Sequence, residues 1–319
     1  MEDQHNLFLV ADVDRLQHET SFYRLFLLRY LNSLPSTTVI RPCEVPSTEI
    51  SETDIVFLYF IRPHQHEMSS TIIAMIPLLQ KKSSMICFYM EDMYHQKEII
   101  NLCRQYNVKH LILNMEHYFY STLYRKHGLH VHCLPYGFDD LDVRPVSDTK
   151  KKYDVIIYGN MNPKVYPFRV RVWKLLQKHD KEFKILYRPF CSKNEKTIES
   201  KKKELYDQIE SCYLGLVCPS IYNFLLKKHL EIPWCGTMLL GQVPVDYQHV
   251  FQKDLVVSIH RKMSDEEILS IIRGQLDDKS KLLERTRKLQ RTVKETFSMT
   301  IVKKEFENLK KKMYSIENR

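Results

Sequence analysis

The chain has 319 residues, of which 44% are hydrophobic, and this is enough for two folded domains and excludes a largely disordered protein. Residues 1–150 carry 14 Lys and Arg against 18 Asp and Glu, a net charge of −4, and residues 151–319 carry 34 against 21, a net +13. Only seven glycines are present, and no P-loop or G-x-G-x-x-G pattern occurs, which argues against ordinary NTPases and dinucleotide oxidoreductases. The basic half favours an anionic ligand, while the absence of zinc-finger and RNA-recognition patterns argues against nucleic acid.

In the first half, the predicted strands are Leu7–Ala11, Asp54–Phe60, Met85–Tyr89, His110–Asn114 and Val131–Leu134, and the predicted helices are Ser21–Leu34, Thr71–Lys81 and Glu116–Lys126. This alternation of strands and helices predicts a parallel α/β sheet. A charged segment follows, residues 139–152, with Pro145 and three consecutive lysines. Its composition predicts a linker.

In the second half, the predicted strands are Val155–Tyr158, Phe183–Tyr187, Leu214–Cys218, Thr237–Leu240 and Leu255–Ser258, and the predicted helices are Phe168–His179, Lys201–Ser211 and Asn223–Cys235. A further helix begins near Ser264, where Glu267 gives capping-box spacing. A long basic helical tail follows from Lys279. One buried face is expected on this tail, formed by Leu282, Leu289, Val293, Phe297, Phe306, Leu309 and Met313.

The segment from Ser211 to Pro244 is typical of a nucleotide-binding half-site, because a strand, a short loop, a helix and a second strand follow one another. Pro219 and Ser220 end the first strand, and the loop at residues 220–223 would lie at the carboxyl end of the sheet. We expect helix N–H groups after Ser220 to be available to an anion. Lys227 and Lys228 add positive charge, and Glu231 adds a carboxylate able to accept hydrogen bonds from ribose.

Lys228, Glu231 and Gly236 form a K-x-x-E-x-x-x-x-G pattern that resembles the donor-binding region of GT-B glycosyltransferases, particularly the spore-maturation-protein-like branch of the group 1 family. Weaker similarity extends over nearly the whole chain. The sequence YDVIIYGNMNPK, from Tyr153, resembles the opening of the second domain of that family, and LPYGFDD, from Leu134, resembles the end of the first. Many retaining members carry a second Glu eight positions before the Glu of this pattern. That position is Asn223 in this chain, so whether the reaction retains or inverts the anomeric configuration stays open.

The resemblance implies an α/β protein of the GT-B class, with two Rossmann-like domains whose parallel sheets face a central cleft. The implied domains are an acceptor domain, residues 1–145, and a nucleotide-sugar donor domain, residues 153–295, with a helical tail, residues 296–319, that crosses back onto the first domain. The implied reaction is hexosyl or pentosyl transfer from a UDP- or GDP-sugar to a hydroxyl group of a glycan, lipid or protein. No metal and no further cofactor are expected.

The predicted donor-binding residues are Gly159, Asn160, Arg188, Ser220, Tyr222, Asn223, Lys227, Lys228 and Glu231. The resemblance implies that Glu231 binds the ribose and that the basic group faces the diphosphate. Two alternatives stay open. Arg188 either binds the donor or forms a surface salt bridge, and Tyr222 either stacks on a base or packs within the protein.

An inverting reaction needs a base that deprotonates the acceptor, and we expect this base in the first domain. Acids and histidines that follow predicted strands are the candidates. Asp14, Glu91 and Asp92 are preferred, because paired acids can raise each other's pKa. The others are Asp12, His18, His64 and His66.

Two other functions fit parts of the sequence. Asp12 and Asp14 form a D-x-D directly after an apolar strand, as in haloacid-dehalogenase-type phosphohydrolases, but Leu16 and the lack of a later Lys and acid pair depart from that pattern. The second alternative is a GT-B protein that binds nucleotide sugar without catalysis.

The sequence also predicts a cytoplasmic location. Its eight cysteines include no C-x-x-C pair, which is typical of reduced, buried thiols. The N-terminus lacks the basic region of a signal peptide, and no apolar run reaches the roughly 20 residues of a membrane span. Peripheral contact with a membrane surface stays compatible with this composition.

Overall fold

The computed structural model describes residues 6–11, 32–34, 37–60, 67–83, 85–90, 95–188 and 198–317. The chain divides into two compact units. Unit 1 contains the chain up to Tyr136 and again from Val302 onward, and unit 2 contains Gly137–Ile301. Within the described residues, every helix is too short or too polar to span a bilayer.

Unit 1 is built on a six-stranded parallel sheet with the strand order β2-β1-β3-β4-β5-β6. Its strands are β1 (Leu7–Val10), β2 (Thr37–Ile40), β3 (Ile55–Phe60), β4 (Met85–Met90), β5 (His110–Leu113) and β6 (His130–Cys133). The helices between them are α1 (Glu67–Lys82), α2 (Gln96–Gln105) and α3 (Tyr118–Lys126). Described side chains of the central strands are buried on both faces, as expected for a parallel sheet covered by helices.

Unit 2 contains a five-stranded parallel sheet with the order β11-β10-β9-β7-β8. Its strands are β7 (Tyr153–Tyr158), β8 (Ile185–Arg188), β9 (Cys212–Val217), β10 (Met238–Gly241) and β11 (Val257–Ser258). Its helices are α4 (Pro167–Lys178), α5 (Ile198–Glu210), α6 (Lys228–Trp234), α7 (Asp265–Asp277) and α8 (Lys279–Phe297), and α9 (Met299–Glu317) follows at the end of the chain.

The strand order of unit 2 creates a switch point between β7 and β9. The chain leaves β7 toward β8 on one side and later enters β9 on the other side. Loops that leave neighbouring strands in opposite directions open a crevice at their carboxyl ends, and open α/β sheets bind ligands there. A ligand site is therefore expected at the segments that follow β7 and β9.

The α/β class and the two parallel sheets that the sequence predicted are confirmed. Several boundaries were wrong. The predicted helix Asn223–Cys235 begins only at Lys228, and β11 is reduced to Val257–Ser258. The sequence analysis did not predict the edge strand β2 or the helix α2. The strand β2 gives a weak signal because it is a short segment with two threonines and only one buried side chain.

The long helical tail is divided at Ser298, which has an extended backbone. The Phe138 N–H donates to Phe297 O at 2.9 Å, and the Met299 N–H donates to Phe138 O at 2.8 Å, so a distant segment replaces the helical hydrogen bonds there. The seven apolar residues expected on one face of the tail are all buried.

The segment 139–152 is not a free linker. It belongs to unit 2 and includes the short 3-10 helix Asp140–Asp142. Lys151 at its end donates to Cys212 O and to Gly236 O, both at 2.7 Å. A run of three lysines therefore contains one that fixes the amino end of the sheet, which composition alone did not show.

Candidate functional site

Gly159 follows β7 at the switch point and has a φ of +84°, a conformation that favours glycine. A Cβ atom at this position would lie 2.5 Å from Lys228 Nζ, so the absence of a side chain also makes room for the lysine. The Lys228 ammonium donates to Tyr158 O and lies 4.1 Å from the centre of the Tyr158 ring. Two predicted donor residues that are 69 positions apart in sequence, Gly159 and Lys228, are thus in contact.

Arg169, in the first turn of α4, is a site residue that the sequence analysis missed. Its side chain is buried, and it donates to Asn160 O at 2.8 Å and to Cys218 O at 3.1 Å. These two carbonyls belong to the segments that follow β7 and β9, so the guanidinium joins both sides of the switch point. Its position with Val172 and Leu176 on the buried face of an amphipathic helix was the signal that could have identified it.

Glu231 lies in the first turn of α6, and its side chain is fully buried. Tyr158 Oη donates to Glu231 Oε2 at 3.2 Å. Lys227 Nζ lies 3.3 Å from Glu231 Oε1, as an i,i+4 ion pair on one face of the helix. This contact is not aligned as a hydrogen bond, so Oε1 receives no hydrogen bond from the described residues. A buried carboxylate oxygen with unused acceptor capacity points to a ligand that donates hydrogen bonds.

Burial lowers the pKa of both lysines. Desolvation lowers the pKa of Lys228 well below its usual value, and the nearby Arg169 guanidinium lowers it further, whereas Glu231 raises it. The pKa of Lys227 is also lowered by burial, and the Glu231 carboxylate counteracts this effect. An anion that entered here would favour the charged form of both lysines, because an opposite charge nearby raises the pKa of an amine.

His229 connects the segment before α6 to the end of β10. Its Nδ1 accepts the Leu226 N–H at 2.9 Å, and its Nε2–H donates to Gln242 O at 2.9 Å, which assigns the tautomer from the network. Burial lowers the pKa of His229 to about 4, so the ring is neutral at physiological pH. The ring holds in place the segment that carries Lys227, Lys228 and Glu231.

The segment after β9 does not offer the free N–H groups that were expected after Ser220. The N–H of Ile221 donates to Val165 O at 3.0 Å, that of Tyr222 to Ser220 Oγ at 3.3 Å, and that of Asn223 to Ser220 O at 2.9 Å. Asn223 has a φ of +57° and an exposed side chain, and the helix begins five residues later. The expected free N–H groups are absent from residues 221–223 because the backbone forms a hydrogen-bonded turn here instead of the first turn of a helix.

Arg188 and Tyr222 have partners within the protein. Arg188 Nη1 donates to Gln208 Oε1 at 2.7 Å and lies 3.8 Å from Glu204, so it contacts α5 at the edge of the sheet. The Tyr222 ring is stacked on Phe224 with 5.8 Å between centroids. The donor-binding roles of these two residues stay predictions.

The predicted catalytic residues of unit 1, Asp14, Glu91 and Asp92, lie outside the described residues. The same holds for Asp12, His18, His64 and His66. The strands that these residues follow, β1, β3 and β4, are neighbours in the sheet of unit 1. Among the residues that the structure describes, no group of three or more His, Cys, Asp or Glu is arranged to hold a metal ion.

A cavity of about 530 Å³ opens beyond β10 and β11 in unit 2 and is lined in part by Gln242, Lys253 and His260. None of the predicted donor residues lines it. The candidate site is therefore assigned to the switch point, where the charged buried groups meet.

No protein-family model and no curated protein matches the amino-acid sequence. Solved structures do match the fold. Anabaena HepE in complex with UDP has a TM-score of 0.63 at 10% identity, with 96% of this chain and 99% of that chain covered. The sucrose-phosphate synthase of Thermosynechococcus elongatus has a TM-score of 0.62 at 10% identity, with 98% and 100% covered.

A third solved structure, an α1,3-fucosyltransferase, has a TM-score of 0.50 at 11% identity, with 98% of this chain and 92% of that chain covered. These structures are GT-B glycosyltransferases, so the expected GT-B fold is confirmed. At 10–11% identity the likeness concerns the fold.

Proposed function

We propose that the protein is a glycosyltransferase that binds a nucleotide-diphosphate sugar at the switch point of unit 2 and transfers the sugar to an acceptor hydroxyl without a metal ion. The observation that carries the proposal is the fully buried Glu231, whose Oε1 receives no hydrogen bond from the described residues and lies beside Lys227. A ribose supplies the neighbouring hydroxyl donors that such a carboxylate accepts. The match of the fold to GT-B glycosyltransferases over nearly the whole chain supports the same function.

The chemistry of glycosyl transfer requires stabilisation of the departing diphosphate. Lys227 and Lys228 are buried amines at the switch point, and a low-dielectric environment strengthens their attraction for phosphate oxygens. Arg169 holds the backbone at Asn160 and Cys218, so it fixes the walls against which these amines act. Protein cations would thus neutralise the negative charge that develops on the leaving group.

We assign the acceptor, a glycan, lipid or protein hydroxyl, and the base that deprotonates it to unit 1. Asp14, Glu91 and Asp92 remain the proposed candidates for this base. UDP is the first donor nucleotide to test, because the HepE structure contains UDP. We also propose a cytoplasmic location, supported by the seven free cysteines of the described chain, since thiols stay reduced there.

The test is calorimetric titration of the wild-type protein with UDP, GDP, ADP, CMP and dTDP, with EDTA and with magnesium in parallel. We expect one nucleoside diphosphate to bind in EDTA. Its affinity should fall by roughly 10- to 150-fold in Glu231→Gln, because hydrogen bonds to a charged acceptor contribute about 1.5–3 kcal/mol. Glu210→Gln is the matched control, since Glu210 is also buried but lies at the opposite end of the sheet.

Failure of every nucleotide to bind, or unchanged affinity in Glu231→Gln, would overturn the assignment of the donor site. Binding that required magnesium would overturn metal independence. Release of free nucleotide from the matching nucleotide sugar, followed by mass spectrometry, then separates an enzyme from a protein that binds the donor without reacting.

A further inference from the structure

Glu231 cannot contact a ligand in the arrangement that the structure shows, because its side chain has no exposed surface. Two groups lie on the carboxylate: the Tyr158 hydroxyl at Oε2 and the Lys227 ammonium at Oε1. Tyr158 is 2% exposed and is part of β7, whereas the Lys227 side chain is 10% exposed and precedes α6. Lys227 is therefore the group that has to move before a ribose hydroxyl can reach Oε1.

Displacing Lys227 is unfavourable unless the ammonium gains another anionic partner. Removing one member of a buried ion pair leaves an uncompensated charge in a low-dielectric environment. Lys227 Nζ also lies 5.6 Å from the centre of the buried Phe138 ring. Besides Glu231, the charges that act on Lys227 are those of Lys202 and Asp142, and these two are paired with each other. A ribose hydroxyl can replace the lysine on Glu231, but it is neutral and does not compensate the charge of the displaced ammonium.

The geometry points to Lys227 as a specificity-determining residue: it leaves Glu231 to the ribose only when a diphosphate accepts the Lys227 ammonium, and a nucleoside diphosphate brings both groups in one ligand. This inference rests on the proposed function and adds to it a rule of substrate choice. Nucleoside diphosphates and their sugar esters exchange both partners of the ion pair at once. Nucleosides bind weakly, because their ribose would have to separate the pair without compensation.

Lys228 does not share this arrangement. Its ammonium donates to Tyr158 O beside Gly159, and the oxygen of Glu231 that a ribose would use is paired with Lys227. Lys228 is thus a neighbouring buried lysine that can attract phosphate without blocking the carboxylate. This difference provides a matched control variant.

The first experiment compares uridine and UDP, or guanosine and GDP if GDP is the ligand, in wild type and in Lys227→Met. We expect Lys227→Met to bind the diphosphate more weakly and the nucleoside more tightly. The dissociation constant of the nucleoside divided by that of the diphosphate should therefore fall at least about tenfold. Lys228→Met should weaken diphosphate binding while the nucleoside affinity stays the same.

The second experiment needs no variant, which removes any dependence on the folding of Lys227→Met. Uridine is titrated into the wild-type protein with and without saturating inorganic pyrophosphate, in EDTA. Pyrophosphate should take up Lys227 and raise the affinity for uridine at least about fivefold, a reciprocal coupling between the two halves of the site. Unchanged or weaker uridine binding in pyrophosphate would overturn the inference.

The outcomes separate this inference from the proposed function. If a nucleoside diphosphate binds and its affinity depends on Glu231, but Lys227→Met weakens nucleoside and diphosphate by the same factor, only the specificity rule fails. If no nucleoside diphosphate binds the wild-type protein, the proposed function fails, and the specificity rule fails with it.

Discussion

Lysines lie among polar groups at both ends of the unit 2 sheet, but the partners of these lysines differ between the two ends. At the amino end, Lys151 Nζ donates to Glu210 O, Cys212 O, Gly236 O and Thr237 Oγ1, at 2.7–3.2 Å. At the carboxyl end, Lys228 donates to Tyr158 O and Lys227 is paired with Glu231. The partners of Lys151 are mainly carbonyls of the fold itself, whereas the Lys227 partner is the carboxylate that we propose binds the ribose of the donor.

This difference suggests how a structural lysine can be distinguished from one proposed to bind a ligand. Burial lowers the pKa of Lys151 to about 8, so at pH 7 its ammonium stays charged and keeps its four acceptors. Substitutions at the amino end should therefore reduce stability and leave nucleotide binding unchanged. Substitutions at the carboxyl end should mainly reduce binding.

The largest effect on stability is expected for Lys151→Met. Removing the ammonium leaves carbonyls of α5, β9 and the segment before β10 with an unused acceptor, and one such loss costs about 1–3 kcal/mol. We expect the free energy of unfolding in urea to fall by about 3 kcal/mol, with the nucleotide affinity unchanged. Lys152→Met, at an exposed neighbouring position, is the control. A Lys151→Met protein of normal stability but weaker nucleotide binding would reverse the comparison.

A smaller effect on the free energy of unfolding is expected from lowering the pH. It arises from His229, a buried residue at the carboxyl end that holds the segment before α6. The pKa of His229 in the folded protein, about 4, lies below the usual histidine value of 6.5, so the unfolded chain binds the proton more readily. The stabilising contribution is complete above pH 6.5 and is lost as the pH falls toward 4. Between pH 6.5 and 5 we expect the free energy of unfolding to fall by about 1.5 kcal/mol from this residue.

Urea unfolding at several pH values, in wild type and His229→Gln, measures this contribution. His132 of unit 1 acts in the same direction, since burial and neighbouring histidines and cations lower its pKa to about 3. The difference between the two proteins is therefore the relevant quantity, and His260→Gln, at an exposed position, is the control variant. Identical pH profiles for wild type and His229→Gln would contradict the buried, neutral state of His229 in the folded protein.

The smallest effect on stability is expected for Gly159→Ala, at the carboxyl end. Gly128 in unit 1 is a matched control, because its φ of +80° is close to the +84° of Gly159, but no neighbouring atom lies within 4 Å of an added Cβ. Both substitutions should cost about 1 kcal/mol of unfolding free energy through backbone strain.

Only Gly159→Ala should also weaken nucleoside diphosphate binding, by about tenfold, since its Cβ displaces Lys228 Nζ. Calorimetry on both variants checks this expectation. Equal affinities in the two alanine variants would contradict a role of Lys228 in binding the diphosphate.

The fold followed closely from the sequence because alternating apolar strands and amphipathic helices are local patterns. Buried strands such as Val155–Tyr158 and the capping box of Ser264 and Glu267 were found where the residues indicated them. The segment 219–227 was not, since Asn223 takes a positive φ and its turn is fixed by the hydrogen bond from Ile221 N–H to Val165 O. A contact to a residue 56 positions away leaves no periodic signal in the sequence.

By itself, the sequence determined two parallel α/β sheets, the buried face of the C-terminal tail and the proximity of Lys228 and Glu231 on one helix. Tertiary structure decided that Arg169 joins the ends of β7 and β9, that Gly159 makes room for Lys228, and that Lys227 covers Glu231. The physical reason is that periodicity records which side chains are buried, whereas the charge state and pairing of a buried group depend on residues that only the folded chain brings together.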